Sequence, residues 1–166
     1  KLHAKEQGFN FPYLYDGDFD SEARYLQEYA AAPNSVLVIA AEGSRIVGAA
    51  TAAPMQHQKA EFRAPFEQRG LDTRLLFYFG ESVLLPEFRG QGIGHAFFHH
   101  REAHAAECGA AAASFAAVVR AEDHPAKPAG YRSLDGFWTG RGYSRIEGLQ
   151  TGLSWLDLGE TEESEK

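Results

Sequence analysis

A long apolar run, LLFYFGESVLL at residues 75–85, is stopped by Pro86 and followed almost at once by RGQGIG, residues 89–94, and then by a segment with helical spacing. Proline cannot donate to a sheet ladder, so it ends the strand. Glycine loses more conformational freedom on folding than any other residue. Gly90, Gly92 and Gly94, set at alternate positions ahead of a helix, therefore imply that something must come close to the main chain. A strand, a turn exposing successive backbone N–H groups and a helix N-terminus together make a cradle of partial positive charge that suits a phosphate or pyrophosphate.

Spacing separates the ligand families that use this device. A P-loop needs Lys and then Ser or Thr after its last glycine, whereas Gly94 is followed by His95 and Ala96, so that reading fails. A dinucleotide fingerprint needs a third glycine three positions after the second, where this chain has His95. It should also sit on the first strand of a βαβ series, and here a hairpin precedes the loop.

The elements around the loop follow from periodicity. Residues 20–32 place Tyr25, Leu26, Tyr29 and Ala30 on one helical stripe, stopped by Pro33 and Asn34. Residues 35–54 are two β-branched runs around Glu42, Gly43 and Ser44, an antiparallel hairpin closed by Pro54. Residues 55–73 are irregular, with a short helix near 65–69. Gly80, inside the long strand, signals a bulge or a close neighbour. Residues 93–108 read as a helix with Ile93, Phe97, His100 and His104 along one face, ended by Gly109. The run ASFAAVV, 113–119, is a buried strand reached by a right-handed crossover, hence parallel to 75–85. A polar loop, a short helix at 133–141 and one or two strands within 143–158 complete one domain, 1–158. The acidic tail, 159–166, is expected to be disordered.

The 166 residues, 44% of them hydrophobic, suffice for one domain with a real core. A net charge of -7 argues against a nucleic acid backbone or an anionic membrane as the main partner. Cys108 is the single cysteine, which excludes an intrachain disulfide and fits a reducing, cytoplasmic setting. The first residue is Lys, so the true start is expected to be missing. A homodimer is left open.

The stretch RGQGIG resembles the coenzyme A pyrophosphate loop of the GNAT superfamily of N-acetyltransferases. The resemblance extends back through ESVLLPEF, forward through the helix and next strand, and into GFWTGRGY, covering residues 35–158. It implies a mixed α+β fold: a central, mostly antiparallel mixed sheet with a splayed parallel strand pair, flanked by helices. It also implies acetyl-CoA as acyl donor and the primary amine of a small molecule or peptide as acceptor. In this family the pantetheine arm lies in the splay, so Val83, Leu84 and Leu85 are expected to supply backbone contacts. Arg89, Gly90, Gln91, Gly92, Ile93 and Gly94 are expected to hold the pyrophosphate. Glu81, just before the splay, is the expected base that takes the proton from the attacking ammonium. Tyr78 lies where some relatives place a catalytic glutamate.

Relatives often carry a tyrosine acid five residues before the aromatic of the Gly-aromatic ending, but that position is Trp138. Tyr131 or Tyr143 is left to substitute. The departure also admits a second reading, a non-catalytic acyl-CoA-binding regulatory module.

His99, His100 and His104 invite a metal, but HREAH lacks the glutamate that must follow the first histidine of a zinc protease helix, and no metal is expected. Asp123 and His124 read either as acceptor contacts or as an ordinary polar turn before Pro125. The cluster FPYLY at 11–15 reads either as acceptor lining or as a wedge under the first helix.

Overall fold

The computed structural model describes residues 19–155 and 164–165. The cluster at 11–15 and most of the acidic tail lie outside the described residues. The chain divides into two compact units. One is Gly17–Ala117, and the other takes in the residues from Val118 onward.

The larger unit is a four-stranded sheet in the order β1-β2-β3-β4. Helix α1 (Phe19–Ala31) leads into the hairpin β1 (Val36–Glu42) and β2 (Arg45–Pro54), turned at Gly43 and Ser44. A short 3-10 helix and α2 (Ala60–Glu67) follow, then β3 (Leu76–Leu84), antiparallel to β2. A 3-10 turn, Pro86–Phe88, and the glycine loop deliver the chain into α3 (Ile93–Glu107), which returns it to β4 (Ala112–Ser114), parallel to β3. This is the mixed, mostly antiparallel sheet flanked by helices that the resemblance implied.

Alternation along β3 sorts the layers. Phe77 and Phe79 face α3, where Phe77 meets the edge of His104 and Phe79 that of Phe98, each at 5.8 Å between ring centroids. Tyr78 faces the other way and stacks on Phe62 of α2 at 4.8 Å. Burying rings like Phe77 and Phe79 contributes about 1.5–3 kcal/mol each, the main adhesion of this layer. Strand β2, covered on both faces, loses its alternation. Its Val47, Ala50, Ala52 and Ala53 are buried, and the small side chains let the helices approach closely. Pro54 stands opposite Phe77, whose main chain turns toward β4, so the missing N–H costs nothing.

Two sequence expectations change here. The core face of α3 is Phe97, Phe98, Arg101 and Ala105, while His100 is exposed. His104 instead ties the helix to the turn after α1, with Nε2 2.9 Å from the Asn34 carbonyl. The strand expected over 113–119 is only the three residues of β4, because it pairs with β3 alone among the described residues and that pairing ends at Tyr78 and Ser114.

In the smaller unit, α4 (Asp135–Gly140) is a single short helix and β5 (Ser154–Trp155) pairs antiparallel with β6 (Ser164–Glu165). No helix among the described residues is long and apolar enough to cross a membrane.

Candidate functional site

Strand β3 carries the site because it does two irregular things. The first is a bulge: Ala50 pairs with Ser82 but Ala52 with Phe79, so Gly80 and Glu81 together oppose Thr51. A bulge interrupts the ladder and leaves main-chain groups to be satisfied otherwise. The Glu81 amide donates to Thr51 Oγ1 at 3.1 Å and to the Tyr25 hydroxyl at 3.2 Å. The Thr51 carbonyl accepts from Arg101 Nη1 at 3.2 Å.

Gly80 makes room for this arrangement. A Cβ there would lie 2.5 Å from Thr51 Oγ1 and 2.6 Å from the Tyr25 hydroxyl, and would also strike the Tyr29 hydroxyl. The bulge read from Gly80 is present, and so is the close neighbour. Burial pushes the Tyr25 hydroxyl above the usual phenol range, and the nearby Glu81 charge adds to the shift. Tyr29 is raised further, again chiefly by burial. Both phenols therefore hold their protons more tightly than a free phenol does.

The second irregularity is the splay. β3 and β4 pair only over Leu76 to Tyr78, after which β3 runs on to Leu84 without β4 beside it. In an antiparallel ladder, alternate residues turn their N–H and C=O toward the same neighbour. The Leu85 amide donates to the Val47 carbonyl at 2.9 Å, which fixes the phase. Leu85 and Val83 spend their main chain on β2, whereas Leu84 and Ser82 turn theirs to the open edge. Of Val83, Leu84 and Leu85, expected to supply backbone contacts, the register turns the main chain of Leu84 away from β2, as it does that of Ser82, and pairs Val83 and Leu85 with β2.

Beyond the splay comes the loop. Gly90 has φ 73° and Gly92 φ 85°, left-handed values that a side chain would strain, and nothing lies within 4 Å of where their Cβ atoms would be. The first bond of α3 runs from the Ala96 amide to the Gly92 carbonyl at 3.1 Å, so the amides of Ile93 and Gly94 have no intrahelical acceptor. Gln91 Nε2 donates to the Glu87 carbonyl at 2.9 Å, and Arg89 Nε to the Leu84 carbonyl at 3.2 Å. Arg89 is thus tied through Nε to the end of β3, beside the exposed main chain of the loop. An open cradle of this kind fits a diphosphate, and the free edge beside it fits an extended arm that pairs as a strand would.

Tyr131 and Tyr143 belong to the smaller unit. Tyr131 is half-buried, its hydroxyl raised by burial and then by Asp135. The Tyr143 amide caps α4 through the Trp138 carbonyl at 3.1 Å. His124 accepts the Ala126 amide at Nδ1, 3.2 Å away, as a turn residue does.

Sequence reasoning missed Thr51 and Arg101 and read Tyr25 and Tyr29 only as core. Arg101 is 1% exposed, its guanidinium 4.6 Å above the Phe79 ring and 4.7 Å from that of Phe98. The signal was present in the spacing, since Phe97, Arg101 and Ala105 recur at four-residue steps on the apolar side of α3.

Comparison with known proteins meets this geometry. The family model described as the acetyltransferase (GNAT) family matches residues 4–132. Among solved structures, the aminoglycoside 6'-N-acetyltransferase AAC(6')-IG from Acinetobacter haemolyticus is similar at 12% identity over 86% of both chains, with TM-score 0.58. The aminoglycoside N-acetyltransferase AAC(6')-Iy in complex with CoA is similar at 14% identity over 77% of this chain and 81% of that one, with TM-score 0.52. In another structure of that enzyme, with a bisubstrate analogue, the chain spans 65% of the relative's length. An integron cassette protein from the mobile metagenome of V. cholerae is similar at 18% identity over 79% and 68%, with TM-score 0.51. At these identities the structures speak for the fold. No curated protein gives a significant match.

Proposed function

The chain belongs to the GNAT family of acetyltransferases, which use acetyl-CoA as donor, and from that premise we propose that it acetylates the primary amine of a cationic small molecule or peptide. The observation that carries the reading is the conjunction of splay and cradle on one strand-turn-helix unit, with Glu81 at the bulge where the splay begins.

When bound, acetyl-CoA supplies the acetyl group as an activated thioester. Residues 90–94 hold the diphosphate through main-chain N–H groups, and Ser82 and Leu84 take the pantetheine arm along the free edge of β3. Glu81 accepts the proton that an ammonium must lose before its nitrogen can attack, directly or through one water. A main-chain N–H on the same edge steadies the oxygen that becomes negative as the carbon turns tetrahedral. The leaving thiolate has a reference pKa of about 8.5 and needs little help near neutral pH, so Trp138 in place of a tyrosine is tolerable. Tyr131 and Tyr143, the sequence's candidates for a proton donor, lie in the smaller unit. The net charge of -7 draws a cationic acceptor toward the protein.

The test is thiol release from acetyl-CoA with kanamycin, spermine and a dipeptide as acceptors, run beside calorimetry of coenzyme A binding. Release with one or more amines is expected. Binding without release across the panel would instead favour the non-catalytic acyl-CoA-binding module.

A further inference from the structure

We infer that Tyr25 is a positioning residue for Glu81, holding, together with Thr51, the amide of the bulge from which that residue acts. The inference rests on the reading of Glu81 as base and deepens it.

A bulge is the softest point of a sheet, since its extra residue has no ladder partner to fix it. A base works only when held within a fraction of an ångström of its productive place. In this chain the conflict is resolved by side chains. The Glu81 N–H is shared by Thr51 Oγ1 at 3.1 Å and the Tyr25 hydroxyl at 3.2 Å, and these two oxygens lie 3.2 Å apart in a hydrogen bond of their own. The three atoms form a closed triangle. Tyr25 is itself held in place, because its ring lies 5.0 Å from that of Tyr29, whose hydroxyl donates to Gln58 Oε1 at 3.1 Å.

The missing Cβ of Gly80 lets both phenols reach the strand, so the glycine, the tyrosines and the threonine form one device. Either hydroxyl can donate within the Tyr25–Thr51 pair while both accept from the amide, so one hydroxyl proton closes the triangle. A residue that only filled the core would need no hydroxyl at this point.

The experiment uses the full chain. In Tyr25→Phe, hydrogen exchange of the Glu81 amide is expected to quicken by about tenfold or more, since one of its two acceptors is gone. With the acceptor amine that releases thiol, kcat is expected to fall by about tenfold while the KM and Kd for acetyl-CoA hold. The Tyr25→Phe, Glu81→Gln double variant should be no slower than Glu81→Gln alone, because the first residue acts through the second. Thr51→Ser should keep the parent behaviour and Thr51→Val lose it, which carries the test if Tyr25→Phe folds poorly.

Unchanged amide exchange overturns the inference whatever the chemistry does. A rise in the amine KM alone overturns it in favour of acceptor lining, and losses that multiply in the double variant overturn it in favour of an independent role. Faster exchange combined with a Glu81→Gln variant of full activity would instead locate the failure in the reading of Glu81.

Discussion

Tyr25 and Arg101 reach the same irregularity in β3 from opposite faces of the sheet, the first bonding the Glu81 amide and the second the Thr51 carbonyl. These are the two main-chain groups that would have bonded each other in a regular ladder. Arg101→Met removes the donor while keeping an unbranched side chain between Phe79 and Phe98, and leaves a buried carbonyl without its partner. The expected loss is about 2–4 kcal/mol, in line with breaking charged buried hydrogen bonds. Urea unfolding measures it, and a variant as stable as the parent would show that the guanidinium is not what satisfies the bulge. Arg101→Lys should recover little, because an ammonium lacks the planar fork and stacking surface.

Gly80 has no such freedom of replacement. Gly80→Ala drives a methyl group against three hydroxyls, and overpacking of this kind costs about 1–3 kcal/mol. In a Tyr25→Phe, Tyr29→Phe background two of those hydroxyls are absent, so the same substitution should cost less than half as much. Equal costs in the two backgrounds, measured by denaturant midpoint, would mean that the clash is not with the phenols.

Much of the fold was legible because local rules and tertiary structure agree. The glycine loop after Pro86, the hairpin around Gly43 and the parallel crossover each follow from residues close together in sequence. The phase of β3 was not legible. Whether Val83 or Leu84 faces the open edge depends on which residue the bulge inserts, and that is set by Thr51 and α1, far along the chain. Arg101 escaped for a similar reason: a charged residue reads as solvent-facing until its carbonyl and ring partners are known. The length of β4 was overestimated because apolar β-branched residues mark a capacity to pair and do not reveal where a partner strand ends.

The loop glycines separate backbone strain from ligand exclusion. Gly92→Ala places a side chain at φ 85°, and Gly43→Ala places one at φ 59° in the hairpin turn, in both cases with nothing nearby to strike. Each should lose about 1 kcal/mol of stability from strain alone. Only Gly92→Ala also puts a methyl group where a diphosphate would sit, so coenzyme A affinity should fall by about tenfold or more in that variant and hold in the other. Calorimetry of both decides the matter, and parallel behaviour of the two variants would remove the cradle from the binding site.

The buried phenols set an alkaline limit on the fold. Tyr25 and Tyr29 have hydroxyls raised by burial above their ordinary value, so the folded state holds those protons more tightly than the unfolded chain. A raised pKa contributes stability that is complete below the unfolded value, about 10 for a phenol, and is lost as pH climbs through the interval up to the folded value. Stability should therefore decline above about pH 10 more steeply than in Tyr25→Phe, and most shallowly in the Tyr25→Phe, Tyr29→Phe pair. Because all three proteins share the same lysines and arginines, the differences between their urea midpoints across that range isolate the two phenols. Identical slopes would mean that these hydroxyls ionise as readily in the folded chain as in the unfolded one, and the packing of α1 on the bulge would have to be looser than the Tyr25 and Thr51 contacts imply.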